Sequence, residues 1–397
     1  MPPRPTTRDP RPADRYDVVA LTSNDLVTDQ RMQRCLTALT AAGYRCLLLG
    51  RERAASAPLD ASLPFAQERH ALAAESGKRF YRELNRAHRA RLLELRPRAV
   101  LVVDLDTMWA GARAARRLGV PWAYDAHELF TELPEVRSRW WIRAAWSALA
   151  RRYVPRAAAV YTVGDEVSRE LRERYGLGHV SVVRNLPAEP DADELAERPR
   201  RLRALRRRFP AAFAPLPGTH TQPYTIIYQG ALNDGRGLEE LLRAAAQLPA
   251  ARFWIAGDGY RARDLYAEAG RLNLSNVFFL GALAPRDLRA LTPRADLGYG
   301  LMRDLGLNYY LSLSNKCADY LQAGIPSLQM DWPEYRALAQ RVDGLHLVER
   351  LDVDSVVAAI RGAQSGEPTR VRTEGLTWEA EAQRLVAIWS RVLSPPA

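Results

Sequence analysis

The chain has 397 residues, of which 47% are hydrophobic and 26% charged, with a formal net charge of +11. That length calls for two domains of ordinary size, and no apolar run approaches the roughly 18–20 residues that span a bilayer. The cysteines are Cys35, Cys46 and Cys317; an odd number without CxxC or metal-ligand spacing excludes a disulfide framework and a zinc site, and fits a reducing cytoplasm.

Residues 1–15, within "MPPRPTTRDPRPADRY", are polar and Pro/Arg-rich and lack the apolar core of a signal peptide, so they read as a disordered tail. A strand follows in "YDVVALT". A helix with Met32, Leu36 and Leu39 at helical spacing then stops at Gly43. "YRCLLLG" and "RAVLVVDLD" are further strands, and "MWAGARAARRLG" is a helix. "PWAYDAHE", "AAVYTVGD" and "HVSVVRN" complete the series of strands. Alternation of this kind predicts a parallel sheet covered by helices over residues 16–185. Residues 186–222 are rich in Pro and charge and read as a linker holding one short basic helix.

A second series occupies residues 223–376. Its strands are "YTIIYQG", "ARFWIAGDG", "NVFFLG", "ADLGYGL" and "IPSLQM". Its helices are "LEELLRAAAQL", "YRARDLYAEAGRLNL", "NKCADYLQAG" and one beginning at Pro333. The two series read as two Rossmann-like α/β units, with a closing helix and tail over residues 377–397. The positive charge is uneven: residues 1–185 hold 31 basic and 21 acidic side chains. An anionic partner therefore meets the first half. No helix-turn-helix, RNA-binding or zinc motif accompanies that charge, so nucleic acid is not the expected partner.

Ligands of such units sit beyond the C-terminal strand ends. In the second unit "YQGALNDGRGLEEL" supplies Gly230, Gly235 and Gly237, which permit close approach of a phosphate to backbone N–H groups, with Arg236 beside them. "IAGDGY" supplies Gly257 and Asp258. "SNKCADYLQAGIP" supplies Ser314 as an N-cap, Asn315 and Lys316 at the helix start, and Asp319 one turn on. Only two of the 57 basic residues are lysines, Lys78 and Lys316. A cation at a helix N-terminus opposes the macrodipole, which points to an anion bridging Lys316 and the helix end; Asp319 suits a ribose diol. In the first unit His127 and Glu128 follow a strand at its C-terminal edge, and Asp104 and Asp106 spell D-x-D. These acids suit hydrogen bonding to a ligand or helix capping; a divalent metal held by them is the competing reading.

The order "YQGALNDGRGLEEL … WIAGDG … NVFFLGAL … ADLGYGL … SNKCADYLQAGIPSL" resembles the C-terminal half of bacterial GT-B glycosyltransferases of family 4 (group 1), in particular a subgroup with an Asn-Lys-x-x-Asp-Tyr helix start. "NDLVTDQRMQRCLTALTAAGYRCLLLGR", "YDAHELFTELPE" and "VYTVGDEVSREL" resemble the acceptor half, and the likeness spans about residues 16–392. It implies two Rossmann-like domains facing across a cleft, with a C-terminal helix crossing back to the first. It also implies a retaining, hexosyl-transferring enzyme (EC 2.4) that uses a nucleotide-sugar and needs neither metal nor cofactor. Carried over, Gly230, Arg236, Gly237, Gly257, Asp258, Gly281, Ser314, Asn315, Lys316 and Asp319 bind the donor, and His127, Glu128 and Asp319 serve catalysis. Asp25, Arg31, Asp104 and Asp106 lie on the acceptor side, "SNDLVTDQR" standing where many members have a glycine-rich loop. Two departures matter. A usual pyrophosphate arginine is Ala231, and a usual sugar-facing acid falls on Leu311; Lys316 would replace the charge missing at Ala231. A nucleotide-sugar epimerase and an inactive nucleotide-sugar-binding protein remain as alternatives.

On a helix, "SRWWIRAAWSALARRYVPRA" puts Trp141, Ile142, Ala145, Trp146 and Leu149 on one face, with Arg139, Arg143, Arg151 and Arg152 beside it. Such a helix packs on its own sheet or lies at an anionic membrane surface. The second reading predicts peripheral attachment to the inner membrane face and a lipid-linked or cell-envelope glycan as acceptor.

Overall fold

The computed structural model describes residues 15–27, 29–217, 222–366, 371 and 375–394. The tail expected over residues 1–15 lies, apart from Arg15, outside them. The chain forms two compact units, one running to Arg184 and resuming at Ala380, the other spanning Asn185–Glu379.

The first unit is built on β1 (Val18–Leu21), β2 (Cys46–Glu52), β3 (Ala66–Ala71), β4 (Ala99–Val103), β5 (Trp122–Ala126), β6 (Ala159–Thr162) and β7 (Ser181–Val182). They form one sheet in the order β3-β2-β1-β4-β5-β6-β7, every pair parallel. β1 and β4 are buried throughout, which is why they are written as unbroken apolar runs; β5 is buried too but carries Asp125. β3 was not expected. Its sequence AQERHA is half-buried and polar, as suits an edge strand. Before β4 comes a helix, Gly77–Leu95, whose buried Phe80, Leu84, His88 and Leu92 recur every four residues. The helix Trp378–Leu393 sends Leu385, Ile388, Trp389 and Val392 into the interior. From Ala380 it belongs to this unit, and its buried Glu381 accepts from the backbone N–H of Arg184 at 3.1 Å.

The helix Trp140–Tyr153 departs from the expected single stripe. Trp146 turns inward against Tyr81 and Phe130, and Ile142 and Leu149 are half-buried. Trp141 and Ala145, expected beside them, are exposed, and Trp140 is 75% exposed.

The second unit has β8 (Thr225–Gln229), β9 (Arg252–Ala256), β10 (Val277–Gly281), β11 (Leu297–Tyr299), β12 (Ser327–Met330) and β13 (Leu345–Val348). The order is β10-β9-β8-β11-β12-β13, again all parallel. β13 and the helix Val353–Ser365 extend the expected series. The expected linker is a correction: Ala192–Arg208 is a helix of 17 residues inside the second unit. Its buried Glu194 takes both oxygens to Arg289 at 2.6 and 2.8 Å, Arg201 pairs with Asp287 at 3.0 Å, and Leu202 and Leu205 join the core around Trp254.

Candidate active site

In each sheet the strand order reverses at one point, β1/β4 in the first and β8/β11 in the second, and the loops beyond those strand ends form the natural crevice. In the second unit β8 ends at Gln229, and the sharp turn at Gly230 has φ +136°. The neighbouring loop after β9 approaches so closely that a Cβ on Gly257 would stand 1.8 Å from the Gly230 carbonyl oxygen. Glycine is thus required there for backbone packing. Gly237 is packed in the same way: its carbonyl accepts from the buried Tyr299 hydroxyl at 2.7 Å. The Gly281 carbonyl accepts from the Gly257 N–H at 2.8 Å, and the exposed Asp258 carboxylate accepts from the Gly259 N–H at 2.8 Å.

The helix Asn315–Ala323 opens against this turn. Ser314 caps it by accepting from the Cys317 N–H at 3.3 Å, and its own N–H donates to the Tyr335 hydroxyl at 3.1 Å. Asn315 accepts from the Asn185 side chain at 2.9 Å. Tyr320 fixes the helix. Its buried hydroxyl lies 3.1 Å from the carbonyls of Ile227 and Tyr299 and accepts from the Gln229 N–H at 3.3 Å, joining β8 and β11. Gly298 makes room, since a Cβ there would stand 2.5 Å from the Tyr320 ring. Gln229 is buried between Thr292, from which it accepts at 2.7 Å, and Asp319, to which it donates at 2.9 Å. Neither Tyr320 nor Gln229 was singled out by sequence reasoning, although Tyr320 closes the Asn-Lys-x-x-Asp-Tyr stretch.

Lys316 extends beside Gly230, its Cδ 3.5 Å from where a Cβ on that glycine would sit, with its ammonium 5.4 Å from the Tyr228 ring centre. Burial, helped by the charge of Arg236 and only partly countered by Asp319, pushes the Lys316 ammonium down to about 7. Arg236 lies 5.7 Å from the centre of the Tyr309 ring. A depressed ammonium beside a second cation, with backbone turns around them, makes a place where an anion is favoured. Leu311 is buried and adds no polar group.

In the first unit the loop beyond β5 carries His127. Its Nε2 lies 3.1 Å from Asp125 and its backbone N–H donates to Asp104 at 3.0 Å; Nδ1 is 4.0 Å from the other Asp104 oxygen. Burial alone would lower the imidazole, but the charges of Asp125 and Asp104 more than offset it and lift it to about 9. Burial raises Asp104 to about 8 and Asp106 to about 6. Asp125 is held below the usual carboxylate range, because Arg31 and His127 outweigh its burial. Asp104 carries φ +53°, outside the usual range for a side-chain-bearing residue.

These contacts correct one expectation. Arg31 does not present itself to an acceptor: it is buried, bonded to Asp125 at 2.8 Å and to the Val183 carbonyl at 2.9 Å. The carboxylates that orient His127 are Asp125 and Asp104. Asp25 accepts from the Ser56 hydroxyl at 3.3 Å, and Asp106 is buried, its carbonyl accepting from Asn85 at 2.7 Å.

Comparison with known proteins bears on both units. Residues 30–186 match the family model described as Glycosyltransferase Family 4, and residues 223–364 match that of Glycosyl transferases group 1. A search of curated proteins returns no match. Among solved structures, sucrose-phosphate synthase from Thermosynechococcus elongatus is similar at TM-score 0.68 and 15% identity, with 96% of each chain covered. HepE of Anabaena, in complex with UDP-glucose, is similar at 0.63 and 16% identity, again with 96% of each chain covered. WaaG, a glycosyltransferase involved in lipopolysaccharide biosynthesis, is similar at 0.61 and 15% identity, covering 94% of this chain and 97% of that one. At such identities the structural likeness concerns the fold, while the two domain matches concern the family. The chain belongs to the GT-B glycosyltransferases.

Proposed function

We propose that the chain is a retaining, metal-independent transferase that moves a hexosyl group from a nucleoside-diphosphate sugar to a hydroxyl acceptor. The observation that carries this reading is the pair Lys316 and Arg236 beside the Gly230 turn, with Asp319 held by Gln229. The cations receive the diphosphate and stabilise it as it leaves, as preorganised charge. Asp319 accepts from the ribose hydroxyls, and Ser314 and Asn315 line the helix start that faces the phosphates. Gly237, Gly257 and Gly281 shape the donor loops, and Asp258 lies at their edge. UDP-glucose in HepE supports a donor of this class. His127, charged through Asp125, acts on the transferring sugar, and Glu128, Asp104 and Asp25 serve the acceptor side. The experiment is a thermal-shift screen of UDP-, GDP-, ADP- and CMP-sugars, since a ligand bound only by the folded state raises its apparent stability. One donor class should stabilise the protein and be hydrolysed slowly without acceptor. Binding without hydrolysis or transfer would leave a binding protein, and epimerised sugar without acceptor would leave an epimerase.

The acceptor is a lipid-linked or envelope glycan met at an anionic membrane surface. Trp140 and Trp141, 75% and 52% exposed on a helix with Arg139 and Arg143, support this. Vesicle sedimentation checks it: retention should require anionic lipid, weaken with salt, and drop in a Trp140→Ser/Trp141→Ser variant that still melts cooperatively.

A further inference from the structure

A cavity of about 380 Å³ in the first unit lies at the opposite end of the sheet from His127. Trp122, the first residue of β5, and Ala158, just before β6, line it, so it opens at the N-terminal strand ends. Four arginines from two segments converge on it: Arg113 and Arg116 from the helix Met108–Leu118, and Arg152 and Arg156 from the end of the helix Trp140–Tyr153 and the turn after it. None of the lining residues is acidic. Among the described residues no ion pair engages any of the four. Arg116 and Arg152 stand in the last turns of their helices, where the macrodipole favours a cation whatever else is present. That placement does not require four of them around one concavity, where each raises the electrostatic potential felt by the others.

We propose that this cavity holds the phosphate of an anionic phospholipid headgroup. The inference rests on the membrane reading above and deepens it. Trp141 and Arg152 are eleven residues apart, which on a helix of 3.6 residues per turn places them on one side, about 16 Å apart along the axis. Ala145 and Ala148 lie between them on that side, and both are exposed. A single exposed strip therefore runs from two tryptophans suited to the headgroup boundary to a guanidinium cluster suited to phosphate oxygens. The guanidinium fork matches a phosphate group in a way that a diffuse basic surface does not.

The test compares two charge-matched variants of the full chain on vesicles of phosphatidylcholine carrying phosphatidic acid or phosphatidylserine at equal surface charge. Arg113→Gln/Arg116→Gln removes two cavity arginines. Arg82→Gln/Arg86→Gln removes two exposed arginines of the Gly77–Leu95 helix, outside the cavity. The cavity pair should weaken binding to phosphatidic acid vesicles at least ten-fold and abolish any preference over phosphatidylserine. The control pair should lower binding to both lipids alike and only a few-fold, and neither pair should alter donor binding. Equal losses in the two variants overturn the cavity claim while leaving the membrane reading standing. Failure of the unaltered protein to bind any vesicle overturns both. Stabilisation by soluble glycerol phosphate that vanishes in the cavity variant, without vesicle binding, assigns the cavity to a free phosphate compound and overturns the lipid source.

Discussion

The ammonium of Lys316 stands 5.4 Å from the centre of the Tyr228 ring, on a side chain that runs alongside Gly230. Lys316→Ala should weaken donor binding by about 1.5–3 kcal/mol, the range for a hydrogen bond to a charged group. Lys316→Arg should also impair binding, because a planar fork does not replace a point charge there. Calorimetric titration with the donor found by screening checks both.

Donor binding should depend on pH. With Lys316 depressed to about 7, the free protein loses this proton as pH rises from 6 to 8. A bound diphosphate lifts the group again, so binding takes up a proton above pH 7 and weakens as pH rises. Titrations at pH 8 in buffers of different ionisation enthalpy should reveal uptake of up to one proton, and Lys316→Met should abolish it.

Tyr320 is a positioning residue. Tyr320→Phe leaves the buried carbonyls of Ile227 and Tyr299 and the N–H of Gln229 without its hydroxyl. A loss of about 1–3 kcal/mol is expected, measured by urea unfolding. Donor affinity should fall further than this destabilisation explains at a temperature where the variant is fully folded, since Lys316 and Asp319 precede Tyr320 on the same helix.

Arg31 and Asp125 form a buried pair, 4% and 0% exposed. Removing one partner strands the other: Arg31→Leu should destabilise the first unit by about 3–5 kcal/mol. Arg31→Leu/Asp125→Leu should recover part of that loss, because the double change leaves no unpaired carboxylate. Urea denaturation of the two variants and the unaltered protein checks the order.

His127→Gln should cut turnover and leave nucleotide-diphosphate binding nearly intact. It also has a stability signature. Its folded value, about 9, exceeds the ordinary 6.5. The stabilisation is therefore complete below pH 6.5 and lost as pH rises through 9, by at most about 3 kcal/mol. Lys316 has the opposite sign: depressed below its ordinary 10.5, it adds stability as pH rises above 7. In melting curves from pH 6 to 9.5 the stability deficit of His127→Gln should shrink as pH rises, and the stability advantage of Lys316→Met should shrink likewise, the two approaching the unaltered protein from opposite sides.

Strands such as "VVAL" and "AVLVV" were legible because burial on both faces writes them as apolar runs. β3 was not, because an edge strand of AQERHA carries no such signature. Lys316, Ser314 and Asp319 were legible as rare or helix-starting residues. Gln229 was not, because a buried glutamine is recognised only by the two partners that surround it, Thr292 and Asp319, far away in sequence. Arg31 was misread for a related reason. Nothing next to it in the chain reveals that Asp125, 94 residues on, will bury it. The glycines expected at the donor loops do stand at or beyond the strand ends, and Gly237 and Gly257 are required there by close packing.

The helix Trp378–Leu393 completes the first unit after the whole second unit has been made. During synthesis the growing chain therefore emerges with an unfinished first unit, its groove for Trp389 and Leu385 open to solvent. The second unit, continuous in sequence, can close on the ribosome before it. The first must wait until the chain has passed Leu393. Nascent chains whose emerged part ends at Glu379 should hold a protease-resistant second unit and a first unit that chaperones still engage.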